Sequence, residues 1–216
     1  MERLDNQQIL DADLADWRKL SQPLHARYLI PNLTAAADFV AEVSKVVEHH
    51  GPHLQLRLVH GVVDLSLCTR EDGLWVTQTD IDLARQISAV AQAKGLTADP
   101  TAVTQLEVGL DTTHEERIGP FWSVLLTGSP DNKVSDSIFD PTGRVPAVWF
   151  QRTGDHETPR QRWHFDLWLA PEVAGERIAA AISAGGSVVD THRAPSFTVL
   201  ADPDGNRVCV CTALGR

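Results

Sequence analysis

The stretch Glu48-His49-His50-Gly51-Pro52-His53-Leu54-Gln55-Leu56-Arg57-Leu58 holds the point where one periodicity gives way to another. Upstream, Phe39, Val40, Val43, Val46 and Val47 recur at helical spacing. Downstream, Leu54, Leu56 and Leu58 alternate with His53, Gln55 and Arg57, the period of a half-buried strand. Three of the chain's nine histidines fall at this corner. His50 lies about three turns beyond Phe39 and prolongs the same apolar face. Imidazoles held against an apolar wall can exchange protons near neutrality. A solvated polar loop would have the same composition.

Outward from the corner, residues 4–20 read as a first helix, with Ile9, Leu10, Leu14 and Trp17 as its apolar positions. A strand from His25 to Ile30 follows Pro23. Asn32 or Thr34 caps the helix that leads to the corner, expected over 34–49. Strands at 53–59 and 62–69 meet at His60-Gly61, where Gly61 permits a tight hairpin. Thr77-x-x-Asp80 has the form of a capping box and opens a helix that ends at Gly95. The order α-β-α-β-β-α predicts an α+β domain over 1–96, with a linker at 97–103 around Thr97-Ala98-Asp99-Pro100.

From residue 104 to 216 the pattern changes. Leu106, Val108 and Leu110 alternate with Gln105, Glu107 and Gly109, and Asp111-Thr112-Thr113 reads as the start of a helix through Trp122. Strands near 133–139 and 146–152 flank the turn Asp140-Pro141-Thr142-Gly143. The same order then recurs. His164 to Leu169 alternates, Pro171 begins a helix through Ala184, and strands follow near 187–192, 197–201 and 207–212. The turn Asp202-Pro203-Asp204-Gly205 echoes the earlier one, so this half reads as a duplicated βαβββ unit.

A length of 216 residues allows one or two domains, and 43% hydrophobic with 22% charged residues is ordinary globular composition. A net charge of −10 without a Lys/Arg run disfavours a nucleic-acid partner. No apolar run is long enough to span a membrane, and Met1-Glu2-Arg3-Leu4-Asp5 lacks the pattern of a signal peptide. Cys68, Cys209 and Cys211 are too few for a disulfide framework. A cytoplasmic protein is expected.

The first half resembles the pterin-4a-carbinolamine dehydratase family. The resemblance rests on Trp17, the Phe39-centred helix, the His-rich corner, Cys68-Thr69-Arg70, and Thr77-x-x-Asp80 followed by Ile81-Asp82-Leu83-Ala84. It implies a paired-histidine corner and a third histidine that surround a pterin and move protons as water leaves the carbinolamine carbon. One group protonates the departing hydroxyl and another takes a ring proton; neither metal nor other cofactor is required. Two registers are open. Placing Pro52 on the family proline puts His50 on the first histidine and Gly51 on the second, with extra residues in the hairpin. Matching the hairpin directly puts Pro52 on the first and His53 on the second. The first register keeps His50 on the apolar helix face and is preferred. His50 and His53 are then the catalytic candidates. The third histidine falls on Arg70, which stays protonated and can donate to a pterin carbonyl; His49 stands with it as a substrate-binding candidate.

The second half is similar to the vicinal oxygen chelate superfamily of glyoxalases, bleomycin-resistance proteins and dioxygenases, most specifically at Leu200-Ala201-Asp202-Pro203-Asp204-Gly205-Asn206. The resemblance implies two modules curled around one pocket. Alternation predicts that Phe165, Leu167 and Leu169 pack under a helix, while Gln105, Glu107, Trp149, Gln151, His164, Asp166, Trp168, Cys209 and Cys211 face the pocket. The family's ligand positions fall on Gln105, His164, Cys209 and Gln151 or Trp149, a poor divalent-metal set. An organic-ligand pocket lined by Trp149 and Trp168, without metal, is expected. The resemblances together imply a histidine-dependent 4a-hydroxytetrahydropterin dehydratase with a small-molecule-binding second domain, assembled as a homo-oligomer. The alternatives are a non-catalytic pterin-like binder and a metal-dependent glyoxalase or dioxygenase activity in the second half.

Overall fold

The computed structural model describes residues 2–71, 73–113, 115–154, 163–183, 185–201 and 207–216, the side chains of Phe121 and Leu125 apart. The described residues form two compact units, one based on residues up to 104 with 170–173 and 216, and one on 105–169 and 174–215. Both mix helix and sheet, as the α+β reading expects.

The first unit begins with α1, Asn6–Asp11, capped by Asp5 and Gln8 in a reciprocal box. The helix expected over 4–20 stops there. Asp13 takes a φ of 49°, a left-handed conformation that a right-handed helix cannot pass through. Arg18–Lys19 forms β1, paired antiparallel with β2, Leu24–Leu29. Trp17 is buried all the same, its indole N–H donating to Ser88 Oγ at 3.1 Å.

Asn32 caps α2, Leu33–Val46, through Ala35 N at 2.9 Å. The helix ends short of the corner, so His50 does not extend its apolar face; His49 and His50 are exposed. Pro52 sits in a 3-10 turn, Gly51–His53, and proline disfavours helical backbone in the residue before it. Strands β3, Leu54–Val59, and β4, Val62–Leu67, pair without interruption from Leu54 opposite Leu67 to Val59 opposite Val62. The loop is His60-Gly61, with Gly61 at φ 81°. Next come α3, Gln78–Ala93, and β5, Thr97–Ala98. The expected linker at 97–103 is therefore structured. β5 pairs with β2, and Arg27 Nη1 donates to Ala102 O at 3.0 Å.

The first sheet runs β1-β2-β4-β3, with β5 also on β2. Leu24, Ala26, Tyr28, Val63, Leu65 and Leu67 of the sheet pack with Phe39 and Val43 of α2 and with Ile81, Ala84 and Ile87 of α3. Each of the Leu, Val, Ile and Phe side chains among them stabilises the fold by about 1.5–3 kcal/mol through burial.

In the second unit β6, Thr104–Thr112, precedes α4, Glu115–Thr127. Asp111 therefore belongs to a strand and not to a helix start. Strands β7, Lys133–Val134, β8, Ser137–Ile138, and β9, Ala147–Arg152, complete the first module. The second has β10, Trp163–Leu169, α5, Pro171–Ser183, β11, Ser187–Asp190, β12, Phe197–Ala201, and β13, Arg207–Cys211. The two modules join in one sheet, β11-β12-β13-β10-β6-β9-β8-β7, with β6 and β10 at its centre. β6 pairs parallel with β9, and β10 parallel with β13. The turn at Asp140 forms as expected, Gly143 N donating to Asp140 O at 2.9 Å; its echo at 202–205 and the stretch 202–206 lie outside the described residues. Alternation misjudged one face. α4 packs against β7, β8 and β9, and on the central strands Phe165 stays 51% exposed and Leu106 38%.

Candidate functional site

The corner of the first unit is built around His53. It ends the 3-10 turn, and its carbonyl accepts from Cys68 N at 3.0 Å, which continues the β3–β4 ladder by one pair. The strand pattern placed His53 on a polar face, yet its side chain is only 9% exposed. Its Nδ1 lies 2.8 Å from Oδ1 of Asp80, a carboxylate with no exposed surface. Asp80 stands where it does because it closes the capping box of α3, its Oδ2 accepting from Thr77 N at 2.8 Å. Oδ2 also accepts from Thr69 Oγ1 at 2.9 Å and Thr77 Oγ1 at 3.0 Å. One carboxylate thus starts a helix with one oxygen and holds an imidazole with the other.

His50 stands at the surface above, its ring edge-on to that of His53 with centroids 5.8 Å apart. Arg70 donates from Nε to Pro52 O at 3.0 Å, tying the end of the hairpin to the corner. His50, His53 and Arg70 are thus brought together, while His49 is exposed and is not joined to them. Burial pushes the neighbouring Cys68 thiol up to about 11, so it remains protonated. A buried imidazole bonded to a carboxylate, a surface imidazole and a fixed cation can exchange protons and bind a carbonyl without a redox group.

In the second unit the expected pocket residues share one face of the sheet in part. His164 lies across Gly109, where any Cβ would meet its ring at 2.2 Å, and edge-on to Trp149 with centroids 5.1 Å apart. Trp149 Nε1 donates to Asp166 Oδ2 at 2.9 Å, and Trp168 Nε1 to Glu107 Oε2 at 2.9 Å. His164 is 3.6 Å from Asp111 and 3.8 Å from Asp166. Cys209 stands opposite Asp166 in the β10–β13 register, and Cys211 opposite Trp168. Gln105 turns its amide to Leu106 O at 3.4 Å, and Gln151 is exposed. Among the described residues no group of three His, Cys, Asp or Glu side chains is placed to hold a metal ion.

Sequence reasoning missed Asp80 as the partner of His53, because the pairing spans 27 positions and its residue type was already explained by capping. It missed Asp111 although the alternation Gln105, Glu107, Gly109 points to it; the Asp-Thr-Thr cap signal prevailed.

Residues 2–90 match the family model described as Pterin 4 alpha carbinolamine dehydratase, and residues 107–211 that described as Glyoxalase-like domain. Two relatives carry the name "Putative pterin-4-alpha-carbinolamine dehydratase". That of Roseiflexus sp. (strain RS-1) is 32% identical over 78 residues, 36% of this chain and 83% of that protein. That of Rhodopseudomonas palustris (strain BisB18) is 36% identical over 64 residues, 30% of this chain and 62% of that protein. A solved structure titled transcriptional coactivator/pterin dehydratase from Brucella melitensis aligns with 42% of this chain and 99% of its own, at 25% identity and a TM-score of 0.38. Through its first half the chain belongs to the pterin 4 alpha carbinolamine dehydratase family, and its second half is a glyoxalase-like domain.

Proposed function

We propose that the first unit removes water from a 4a-hydroxytetrahydropterin, as a hydro-lyase that works by imidazole acid–base chemistry. The observation that carries this reading is the buried His53–Asp80 pair beside the exposed ring of His50. Asp80 engages Nδ1 of His53 and leaves Nε2 for proton transfer. His50, next to it and in contact with solvent, is the second group: one protonates the leaving hydroxyl while the other accepts a ring proton. Arg70, with Nε committed to Pro52 O, offers its remaining N–H groups to a pterin carbonyl. The register that places His53 on the family's second histidine is the one this geometry favours, because β3 and β4 close on a loop of His60-Gly61 with no residue to spare.

The second unit is read as a binding site for a planar organic molecule. Trp168 is buried with its N–H on Glu107, whereas Trp149 is half-buried, and with its N–H bonded to Asp166 it has ring surface left for stacking. The homo-oligomer belongs to the same reading. β3 is an edge strand whose Leu56, Leu58 and Val59 are exposed, and a second copy can pair there. No described helix is long and apolar enough to cross a membrane; a cytoplasmic site of action is part of the proposal.

The test is dehydration of a 4a-hydroxytetrahydropterin generated in situ, with wild type, His53→Ala and His50→Ala compared. Wild type faster than buffer, with His53→Ala reduced, supports the reading. Wild type no faster than buffer, with pterin binding retained by calorimetry, makes the protein a binder on an enzyme scaffold.

A further inference from the structure

Beneath the His53–Asp80 pair lie two threonines to which the dehydration reading gives no role. We propose that Thr69 is a positioning residue. Its hydroxyl locks the Asp80 carboxylate so that Oδ1 faces His53, and thereby holds the imidazole in the tautomer with the proton on Nδ1 and the lone pair on Nε2.

The hydrogen-bond inventory leads to this assignment. Thr69, Thr77, Asp80 and His53 are all buried, so water does not compete for their polar atoms. Thr69 Oγ1 is 2.9 Å from Asp80 Oδ2, 2.9 Å from Thr77 Oγ1 and 3.3 Å from His53 Nδ1. It has one proton to give. A carboxylate oxygen is the strongest acceptor of the three. Were that proton turned to His53 instead, Nδ1 would present a lone pair to Asp80 Oδ1 at 2.8 Å, two acceptors face to face. With the proton on Asp80, every contact has one donor and one acceptor. Thr77 N–H and Thr69 O–H hold Oδ2, Thr77 O–H is shared between Oδ2 and Thr69 Oγ1, and His53 Nδ1–H is left for Oδ1. Valine at 69 keeps the shape and removes the donor, so the carboxylate loses one of its restraints and gains freedom to rotate.

The assignment of a tautomer stands on geometry alone, whereas its effect on rate rests on the dehydratase reading. Nitrogen NMR of the His53 imidazole in wild type, Thr69→Val and Thr69→Ser tests the first, and the in situ dehydration assay tests the second. We expect a single Nδ1–H tautomer in wild type and in Thr69→Ser. Thr69→Val should give mixed tautomers, with kcat lowered about tenfold and KM within about twofold, as expected for a misplaced proton-transfer group. Wild-type His53 protonated on Nε2 overturns the proposal even if the valine variant does not fold. So does a folded Thr69→Val with wild-type tautomer and rate. If wild type turns over no pterin but Thr69→Val still mixes the tautomers, positioning stands and the dehydratase reading falls. If wild type is active and the tautomer does not respond, the reverse holds.

Discussion

Each unit sets a histidine beside acidic side chains, and the two are held in different ways. His53 is bonded through Nδ1 at 2.8 Å to a carboxylate that is itself anchored by a helix cap. His164 lies 3.6 and 3.8 Å from its two carboxylates, outside hydrogen-bond distance, and is located by the flat backbone of Gly109 and the edge of Trp149. Packing fixes where a ring is. A hydrogen bond also fixes which nitrogen carries the proton. That difference makes the first histidine the candidate for proton transfer and the second a part of a binding wall.

The largest effect that could break this contrast is catalytic. His53→Ala should lower dehydration by about 10²–10⁴-fold, the usual loss of a general acid–base group. His164→Ala should leave that rate unchanged. A loss in the second variant and none in the first, by initial rates at saturating substrate, would reverse the roles. A loss confined to His50→Ala would return the proton-transfer role to the register that places His50 on the first histidine.

A third histidine sharpens the comparison, because no carboxylate takes its ring nitrogens among the described residues. His25 has its Nε2 enclosed without a partner, and burial pushes its pKa from 6.5 down to about 4. Between these values the unfolded chain binds a proton that the folded chain refuses. Stability contributed by neutral His25 is therefore present above about pH 6.5 and is lost as pH falls toward about 4, by about 3 kcal/mol in all. In urea unfolding across this range, wild type should lose about 3 kcal/mol more than His25→Phe as pH falls from about 6.5 to about 4. Parallel curves would mean that His25 does not titrate on unfolding.

The next expected effect is on the packed histidine. Gly109→Ala must push the His164 ring aside, since the new Cβ would stand 2.2 Å from it. Overpacking of this kind destabilises by about 1–3 kcal/mol. Gly51→Ala, whose Cβ meets nothing within 4 Å, is the control. The double variant Gly109→Ala/His164→Ala should recover most of the loss in thermal unfolding. If it does not, the clash lies with the strand and not with the ring.

What the sequence made legible was local. The hairpin at His60-Gly61, the cap at Asn32 and the box at Thr77 are each written within a few residues, and each forms. The duplicated βαβββ order was legible because it repeats. The first helix was overextended because Ile9, Leu14 and Trp17 fit a helical period that the backbone at Asp13 interrupts. His53 was misplaced on a polar face because alternation carries no information about a carboxylate that arrives from another helix. Asp80 gave a complete account of itself as a cap, and a residue with two duties shows only the local one in sequence.

The smallest effect expected is at Arg70. Arg70→His restores the residue type that the family resemblance puts there, and it replaces a permanent cation with a group that can exchange protons. It also removes the bond from Nε to Pro52 O that ties hairpin to corner, worth about 0.5–1.5 kcal/mol. A small fall in thermal stability should therefore accompany a rise in dehydration rate, read as kcat rather than KM because the added group acts in the proton-transfer step. A rise in KM with kcat unchanged would instead assign Arg70 to binding alone. If kcat falls, the corner needs the arginine to keep His53 and His50 in register. The His50–His53 contact of 5.8 Å would then depend on Pro52 being held by this cation as much as on the helix cap beneath it.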